Sequence, residues 1–372
     1  MSVWEKETFF EHQDVIIVGS GLVGLWSGIE LKETNPKLKI TILERGLIPT
    51  GASTRNAGFA CFGSPTELMH DVDMYGEDVM WKIVEMRFKG IEKIRKNFSN
   101  EGLGFEECGG YEVYETDKMH DGDFVERVYW LNKGLQKITG KLNCFAWKNQ
   151  RVAEFGFTGF DAMLENKLEG CLHSGKLVKS LWQKAIAKGI QVFTKVKVNG
   201  WEKANHKIII NPNEPVTFSA NQLLICTNAF TNDLIPEVNI TPARGQMILT
   251  SPIADLKMKG AFHFDEGYYY FRNLGNRVLL GGARNAAFDE EETSAMETSE
   301  IIQTKLQNFL SRHILFGKQY TIEQKWSGIM GFTANKQAII KRINDNVSVA
   351  VSCNGMGVAL APMIAEKVVE LY

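Results

Sequence analysis

The sequence has no C-x-x-C pair and no histidines at metal-ligand spacing. Its six cysteines, Cys61, Cys108, Cys144, Cys171, Cys226 and Cys353, are scattered singly. That spacing excludes zinc ribbons and dithiol redox motifs, and it fits reduced thiols buried as small core residues. His173, His206, His263 and His313 stand alone and are read as structural. There is no Ser-His-Asp arrangement. No apolar run reaches the roughly 18 residues that a bilayer span needs. The opening "MSVWEKETFFEHQD" lacks the basic start and apolar stretch of a signal peptide. A cytoplasmic protein without a transmembrane segment is therefore expected. Charge of one sign is not in excess, since 42 Lys and Arg face 44 Asp and Glu. Net charge gives no reason to expect nucleic acid or an anionic membrane as partner. Internal repeats, low-complexity tracts and obvious linkers are also missing.

What remains is ordinary for a globular chain: 372 residues, 44% hydrophobic and 23% charged. That length supports one large core or two modest domains. "DVIIVG", from Asp14 to Gly19, is a short β-branched run that reads as a buried parallel strand. "LVGLWSGIELKETNP" has helical spacing and stops at Pro36. "LKITILER", ending at Arg45, reads as a second buried strand. Gly19, Gly21 and Gly24 form G-x-G-x-x-G between the first strand and the helix, the context that gives this motif meaning. Gly19 allows the turn, Gly21 lets a pyrophosphate approach, and Gly24 lets helix and strand pack closely. The N–H groups of the helix start, through Ser20, Leu22 and Val23, offer hydrogen bonds and partial positive charge to phosphates. Glu44 stands twenty positions after Gly24, where an acid can accept bonds from adenosine ribose hydroxyls. A dinucleotide site is expected. The chain does not go on alternating strands and helices, which favours FAD over a nicotinamide cofactor.

Further along, helices are expected over Met80 to Phe98 and Asp123 to Ile138, within a second domain. "GYYYFRN" and "NRVLLGGAR" are expected as antiparallel strands joined at Leu274 to Asn276. "SEIIQTKLQNFLSRHIL" reads as an amphipathic helix, and the acidic cluster Asp289 to Glu292 as a solvated approach to it. The chain ends in a strand, a second glycine turn "NGMGVALAP" and a helix.

After Glu44 comes "RGLIPTGASTRNAGFA", Arg45 to Ala60. The fingerprint, the acid and G-A-S-x-R-N-A-G together resemble the D-amino-acid-oxidase-type superfamily of FAD-dependent amine and amino-acid oxidoreductases. "LLICTNAFTNDLIP", "ITPARGQMILTSP", "YYYFRNLGNRVLLGG", "WSGIMGFT" and "NGMGVALAP" resemble its later segments in the same order. The resemblance implies an α/β fold: a Rossmann-like FAD-binding domain of the glutathione-reductase type over 1–78, 171–235 and 326–372. A second, mixed, mainly antiparallel α+β substrate domain is implied over 79–170 and 236–325. It implies that FAD lies extended between the two glycine sites. Arg45, Ala52, Ser53, Thr54, Arg55, Asn56, Ala57 and Gly58 would follow its ribityl chain and isoalloxazine. Val196 would meet the adenine through its backbone, and Thr227 and Asn228 would close the turn near the pyrophosphate. Asn354, Gly355, Met356, Gly357 and Val358 would place N–H groups beside the flavin N1–C2=O edge.

The sequence also departs from that family. Where W-x-G-x-R-P supplies a carboxylate-binding arginine, this chain has Met330. Methionine cannot replace a bidentate guanidinium. Arg272 is the expected replacement, because Tyr268, Tyr270 and Arg272 alternate along one strand and share a face. Where some members attach flavin through cysteine, this chain has Gly328, so FAD is expected to be non-covalent. The position of an oxygen-activating lysine falls on Leu279, and the later D-x-x-P-x-I-G is replaced by Asn335 to Lys341. The expected activity is oxidation of a C–N bond in a small amine or amino acid, with oxygen or an electron carrier as acceptor. A 2-hydroxy-acid dehydrogenase on the same fold, or a non-catalytic flavin-binding protein, are the alternatives.

Overall fold

The apolar run near the N-terminus forms the strand Gln13–Val18, which pairs in parallel with Ile40–Leu43 on one side and Phe218–Ile225 on the other. This computed structural model describes residues 1–116, 118–204 and 207–372, so His206 lies outside the described residues. The chain divides into two compact units, one of 1–55, 174–243 and 330–372, the other of 56–173 and 244–329.

In the first unit the strand order is Ile339–Asn344, Val347–Val351, Phe218–Ile225, Gln13–Val18, Ile40–Leu43, Gln191–Phe193. All neighbours are parallel except the outermost pair, Ile339–Asn344 with Val347–Val351. Lys207–Pro212 and Val198–Ala204 extend Phe218–Ile225 as antiparallel strands. The helix Leu22–Thr34 packs against the helices Ser174–Ala187 and Gly357–Val369. A side chain at Gly28 would meet Ile190, Ile17 and Ile42 at 3.2–3.4 Å, so the bare backbone lets that helix sit on the sheet. Ile16, Val18, Leu223, Ile225, Val347 and Val349 fill the core of the other face. This is the Rossmann-like α/β arrangement that the first strand–helix–strand unit predicts.

The second unit holds a sheet in the order Ile322–Phe332, Thr241–Thr250, Arg277–Gly282, Tyr269–Leu274, Ala261–Phe264, Gly110–Tyr114, Ala162–Asn166, Phe145–Trp147. It is mainly antiparallel, with one parallel pair, Ala261–Phe264 against Gly110–Tyr114. Phe262, Phe271, Leu280, Ile248 and Tyr111 point to one face and pack with Ile302, Leu306, Phe309 and Leu310. Phe262 and Phe271 stack with centroids 5.0 Å apart. The period of two then sends His263, Tyr270 and Arg272 to the opposite face, in register across neighbouring strands.

The expected helices are found as Glu77–Asn97 and Gly122–Thr139, and the amphipathic segment as Glu300–Phe309 continued by a π turn over Leu310–Ile314. The hairpin turns through Gly275, whose φ is +60°. Two expectations need correction. Residues 56–78, 171–173 and 326–329 fall in the second unit, and 236–243 in the first. The reason for 56–78 is local pairing: Phe59–Ala60 pairs with Gly170–Cys171, and Glu67 bonds Arg87 at 3.0 Å. The acidic cluster is not wholly solvated. Glu291 is fully buried and accepts bonds from Arg244, Gln246 and Ser299 at 2.8–3.0 Å.

The second unit also buries a polar layer. Glu112 accepts bonds from Ser64 Oγ, the Thr66 N–H and hydroxyl, and the Tyr114 hydroxyl. Glu169 accepts from the Phe62 N–H at 2.9 Å, and burial pushes its carboxyl up to about 8. Burial pushes His263 the other way, down to about 4, and its Nε2 has no partner among the described residues. Above its ordinary pKa, His263 is neutral folded or unfolded and contributes no pH dependence. As pH falls from 6.5 towards 4, the unfolded chain takes up a proton that the folded one refuses, and stability drops. The loss should approach about 3 kcal/mol. Urea melts across that range should show it, and His263→Asn should flatten this part of the profile.

Candidate functional site

The first glycine turn is held by atoms that leave no room for side chains. Gly19 has φ +104°, and a Cβ there would lie 2.7 Å from the Cys226 carbonyl oxygen. A Cβ at Gly24 would lie 1.9 Å from the Gly19 carbonyl oxygen. At Gly21 it would meet Ser53 Oγ at 2.9 Å, and that hydroxyl accepts from the Leu22 N–H at 3.0 Å. The first bond of the helix runs from Leu25 N to Gly21 O at 3.0 Å. The N–H groups of Val23 and Gly24 therefore have no intrahelical acceptor.

Glu44 fixes this turn. One carboxylate oxygen accepts from the Ser20 N–H at 3.0 Å and from its hydroxyl at 2.8 Å, and the other from the Gly46 N–H at 2.9 Å. Three donors leave part of the carboxylate's capacity for a further hydroxyl. The Val196 N–H is already donated to the Glu44 carbonyl at 2.9 Å, so any backbone contact of Val196 with a ligand is through its carbonyl. Arg45 lies 3.8 Å over the Phe230 ring. Thr227 and Thr231 share a hydroxyl bond of 2.9 Å, and Asn228 has φ +50°. This places the Cys226–Asn228 turn directly against Gly19.

The G-A-S-x-R-N-A-G segment is divided. Ala52, Ser53, Thr54 and Arg55 form a one-turn helix in the first unit, tied by Thr54 Oγ1 to Pro49 O at 2.6 Å and Arg55 Nε to Thr50 O at 2.7 Å. Asn56, Ala57 and Gly58 belong to the second unit, where Asn56 Oδ1 accepts from the Gly58 N–H at 2.9 Å.

The second glycine turn follows the strand Val347–Val351. Ser352, Asn354 and Gly355 all have positive φ, at +66°, +48° and +84°. Asn354 Oδ1 accepts from the Thr333 N–H at 2.9 Å, and its Nδ2 donates to Ser352 O at 3.2 Å. The Asn354 side chain thus holds the turn itself. The helix Gly357–Val369 starts at once, and its first bond is Leu360 N to Met356 O at 3.0 Å. The N–H groups of Gly357 and Val358 have no intrahelical acceptor. Met330 lies beside this turn, its sulfur 3.7 Å from where a Gly355 Cβ would stand. Two helix starts with spare N–H groups and bare backbone, in one unit, suit the pyrophosphate and flavin edge of FAD.

On the second unit's sheet, Tyr270 packs with Phe59, Met247, Leu279 and Trp326, and burial pushes its phenol up to about 12. Gly328 lies within the strand Ile322–Phe332, in the second unit. Arg272 has another task than the one expected. Its side chain is buried; Nη1 donates to Leu172 O at 2.9 Å and to the Ala57 and Gly58 carbonyls at 3.4 Å, while Nε donates to Asn273 O at 3.0 Å. It clamps three chain segments together. Alternation placed it on the right face, but carbonyl partners a hundred residues away carry no sequence signal. Among the described residues no group of His, Cys, Asp and Glu could hold a metal ion, and no helix is long and apolar enough to cross a membrane.

A family model described as DAO, FAD dependent oxidoreductase, matches residues 14–371. The chain is 23% identical to a probable oxidoreductase OrdL of Haemophilus influenzae, covering 98% of this chain and 83% of that protein. It is 22% identical to the bifunctional protein ThiO/ThiG of Trichormus variabilis, spanning 96% of this chain but about half of that protein, 52%. Its fold is similar to L-proline dehydrogenase from P. horikoshii (TM-score 0.79, 18% identity, 98% of this chain and 94% of the other). It is also similar to glycine oxidase from Geobacillus kaustophilus (TM-score 0.76, 17% identity, 96% and 95%).

Two variants test this geometry. Gly24→Ala forces a methyl group against the Gly19 carbonyl and should cost about 1–3 kcal/mol. Gel filtration should show it losing its flavin, while the wild type keeps it. Arg272→Met leaves buried carbonyls without donors and should lower stability by on the order of 2–5 kcal/mol. A urea midpoint unchanged from wild type would remove the clamp.

Proposed function

The chain belongs to the family of FAD dependent oxidoreductases, and from that premise we propose that it oxidises the C–N bond of a small amine or amino acid to an imine that water then hydrolyses. FAD, when bound, supplies the hydride acceptor. Every other contribution comes from this chain. Gly19 to Gly24 and the start of the helix Leu22–Thr34 would hold the pyrophosphate through N–H groups, with Glu44 on the ribose. Asn354 to Val358 and the helix behind them would offer N–H groups to the flavin's pyrimidine edge, where negative charge would collect on reduction. A fixed dipole there is already oriented and needs no rearrangement as charge develops. Gly328 has no side chain to which flavin could be joined, so FAD is held non-covalently. Tyr268 and Tyr270 line the substrate side of the second unit's sheet and exclude water. The observation that carries the reading is the pair of glycine-opened helix starts on one mainly parallel sheet.

The test is anaerobic. Pooled amines, amino acids and 2-hydroxy acids are added separately to the purified holoprotein while the visible flavin band is followed. Bleaching by an amine or amino-acid pool is expected. Bleaching only by hydroxy acids would transfer the activity to C–O oxidation, and no bleaching at all would leave a flavin-binding protein without this chemistry. Readmitting air, or adding a dye acceptor, then separates oxygen from an electron carrier.

A further inference from the structure

We propose that Cys108 and Cys171 form an oxidation site, at which hydrogen peroxide takes the Cys108 thiol to a sulfenic acid and Cys171 closes it to a disulfide.

The strand Gly170–Cys171 pairs with Phe59–Ala60, and Cys171 also faces Glu106 in an isolated antiparallel bridge. Glu106 and Cys171 exchange both backbone bonds, from the Glu106 N–H to Cys171 O at 2.7 Å and from the Cys171 N–H to Glu106 O at 3.0 Å. Cys108 stands two positions after Glu106, which returns its side chain to the face that Glu106 shares with Cys171. The two cysteine side chains meet in a hydrogen bond. Residues 107–109 belong to no strand, and Gly109 turns with φ +78° before the strand Gly110–Tyr114 begins. Cys108 can therefore shift to bonding distance without breaking a ladder.

The pair is unequal, as an attacking thiol and a resolving thiol need to be. Cys108 is half-buried and Cys171 fully buried. The hydrogen bond from Cys171 holds the Cys108 thiol below the usual cysteine range against the opposing effect of burial, and the Arg272 guanidinium helps. Burial pushes the Cys171 thiol well up, so that it keeps its proton and donates it. Arg272 is fixed beside the pair by its bond at 2.9 Å to the carbonyl of Leu172, the residue after Cys171. Glu106, Tyr111 and Cys61 are the other titratable groups that act on these two thiols or feel them. A thiolate near a guanidinium, partly open to solvent and next to a second thiol, is the arrangement that oxidants select.

The chemistry balances with hydrogen peroxide as oxidant. The Cys108 sulfur attacks one peroxide oxygen; the S–O bond forms, the O–O bond breaks, and the other oxygen leaves as hydroxide. The Cys171 sulfur then gives up its proton and attacks the Cys108 sulfur; the S–S bond forms, the S–O bond breaks, and the oxygen leaves as water. Two thiols lose two electrons and two protons, and the peroxide ends as two waters.

The purified, reduced holoprotein is treated with hydrogen peroxide, alkylated, and mapped by mass spectrometry without reduction. Two of the six thiols should disappear, a peptide pair joined through Cys108 and Cys171 should appear, and dithiothreitol should return both thiols. In Cys171→Ser the sulfenic acid has no resolving thiol, and dimedone should trap it at Cys108. Cys108→Ser should abolish both products. Labelling of Cys108 by iodoacetamide should follow a pH midpoint below about 8.5. Cys171→Ala should raise that midpoint, because the hydrogen bond that favours the thiolate is gone. Flavin content and melting temperature identify a variant that has merely failed to fold, and the wild-type peptide map then carries the test. Oxidation that leaves Cys108 and Cys171 as free thiols, or that falls on other cysteines alone, would overturn the site. A sulfenic acid at Cys108 that never joins Cys171, or a labelling midpoint no lower than that of an ordinary cysteine, would overturn the pairing of roles.

Discussion

The helix Leu22–Thr34 can begin where it does only because position 24 has no side chain. The Gly24 backbone passes so close to the Gly19 carbonyl that a single methyl group would overlap it. That contact brings the helix start to the end of the strand Gln13–Val18, where a dinucleotide's phosphates can reach it. The surrounding bonds follow from it. Ser53 caps the Leu22 N–H, and Glu44 ties Ser20 and Gly46 into one rigid loop. Cys226 presses against Gly19 from the neighbouring strand. A ligand meeting such a turn finds its donors already in place and need not order them.

The second unit is organised by a different constraint. Its sheet has one face filled with stacked aromatics, and the other combines an apolar cluster around Tyr270 with polar groups that must find partners inside the protein. Glu112, Glu169 and Arg272 meet that demand largely through backbone atoms and hydroxyls, and Arg87 pairs with the Glu67 carboxylate at 3.0 Å. The bonds of Arg272 to Ala57, Gly58 and Leu172 hold the end of the G-A-S-x-R-N-A-G segment against the sheet. The same arginine therefore shapes the chain that follows the one-turn helix Ala52–Arg55.

What was legible in the sequence was local. Apolar runs, glycines and the acid at Glu44 lie within about thirty residues, and the physics of a strand–helix–strand unit acts over that distance. The tyrosine hairpin was legible because alternation and a glycine turn specify it alone. The tasks of Arg272 and Glu291 were not. Leu172 and Arg244, their partners, lie far along the chain, and a lone charged residue does not reveal whether a carbonyl or a carboxylate waits for it. The unit boundary at residue 56 was hidden for the same reason, since it depends on Phe59–Ala60 pairing with Gly170–Cys171. Of the candidate site, the backbone cradle and the tyrosine strand could be read in the sequence, whereas the bonds that occupy Arg272 emerged only from the fold.

The central claim is that two glycine turns on one sheet hold a single FAD without a covalent link. The most direct measurement is the absorption spectrum of the purified protein, followed by acid precipitation and identification of what is released. A flavin spectrum, with one FAD per chain recovered in the supernatant, is the predicted result. A colourless protein that takes up no added FAD, or flavin that stays with the precipitate, would contradict the account.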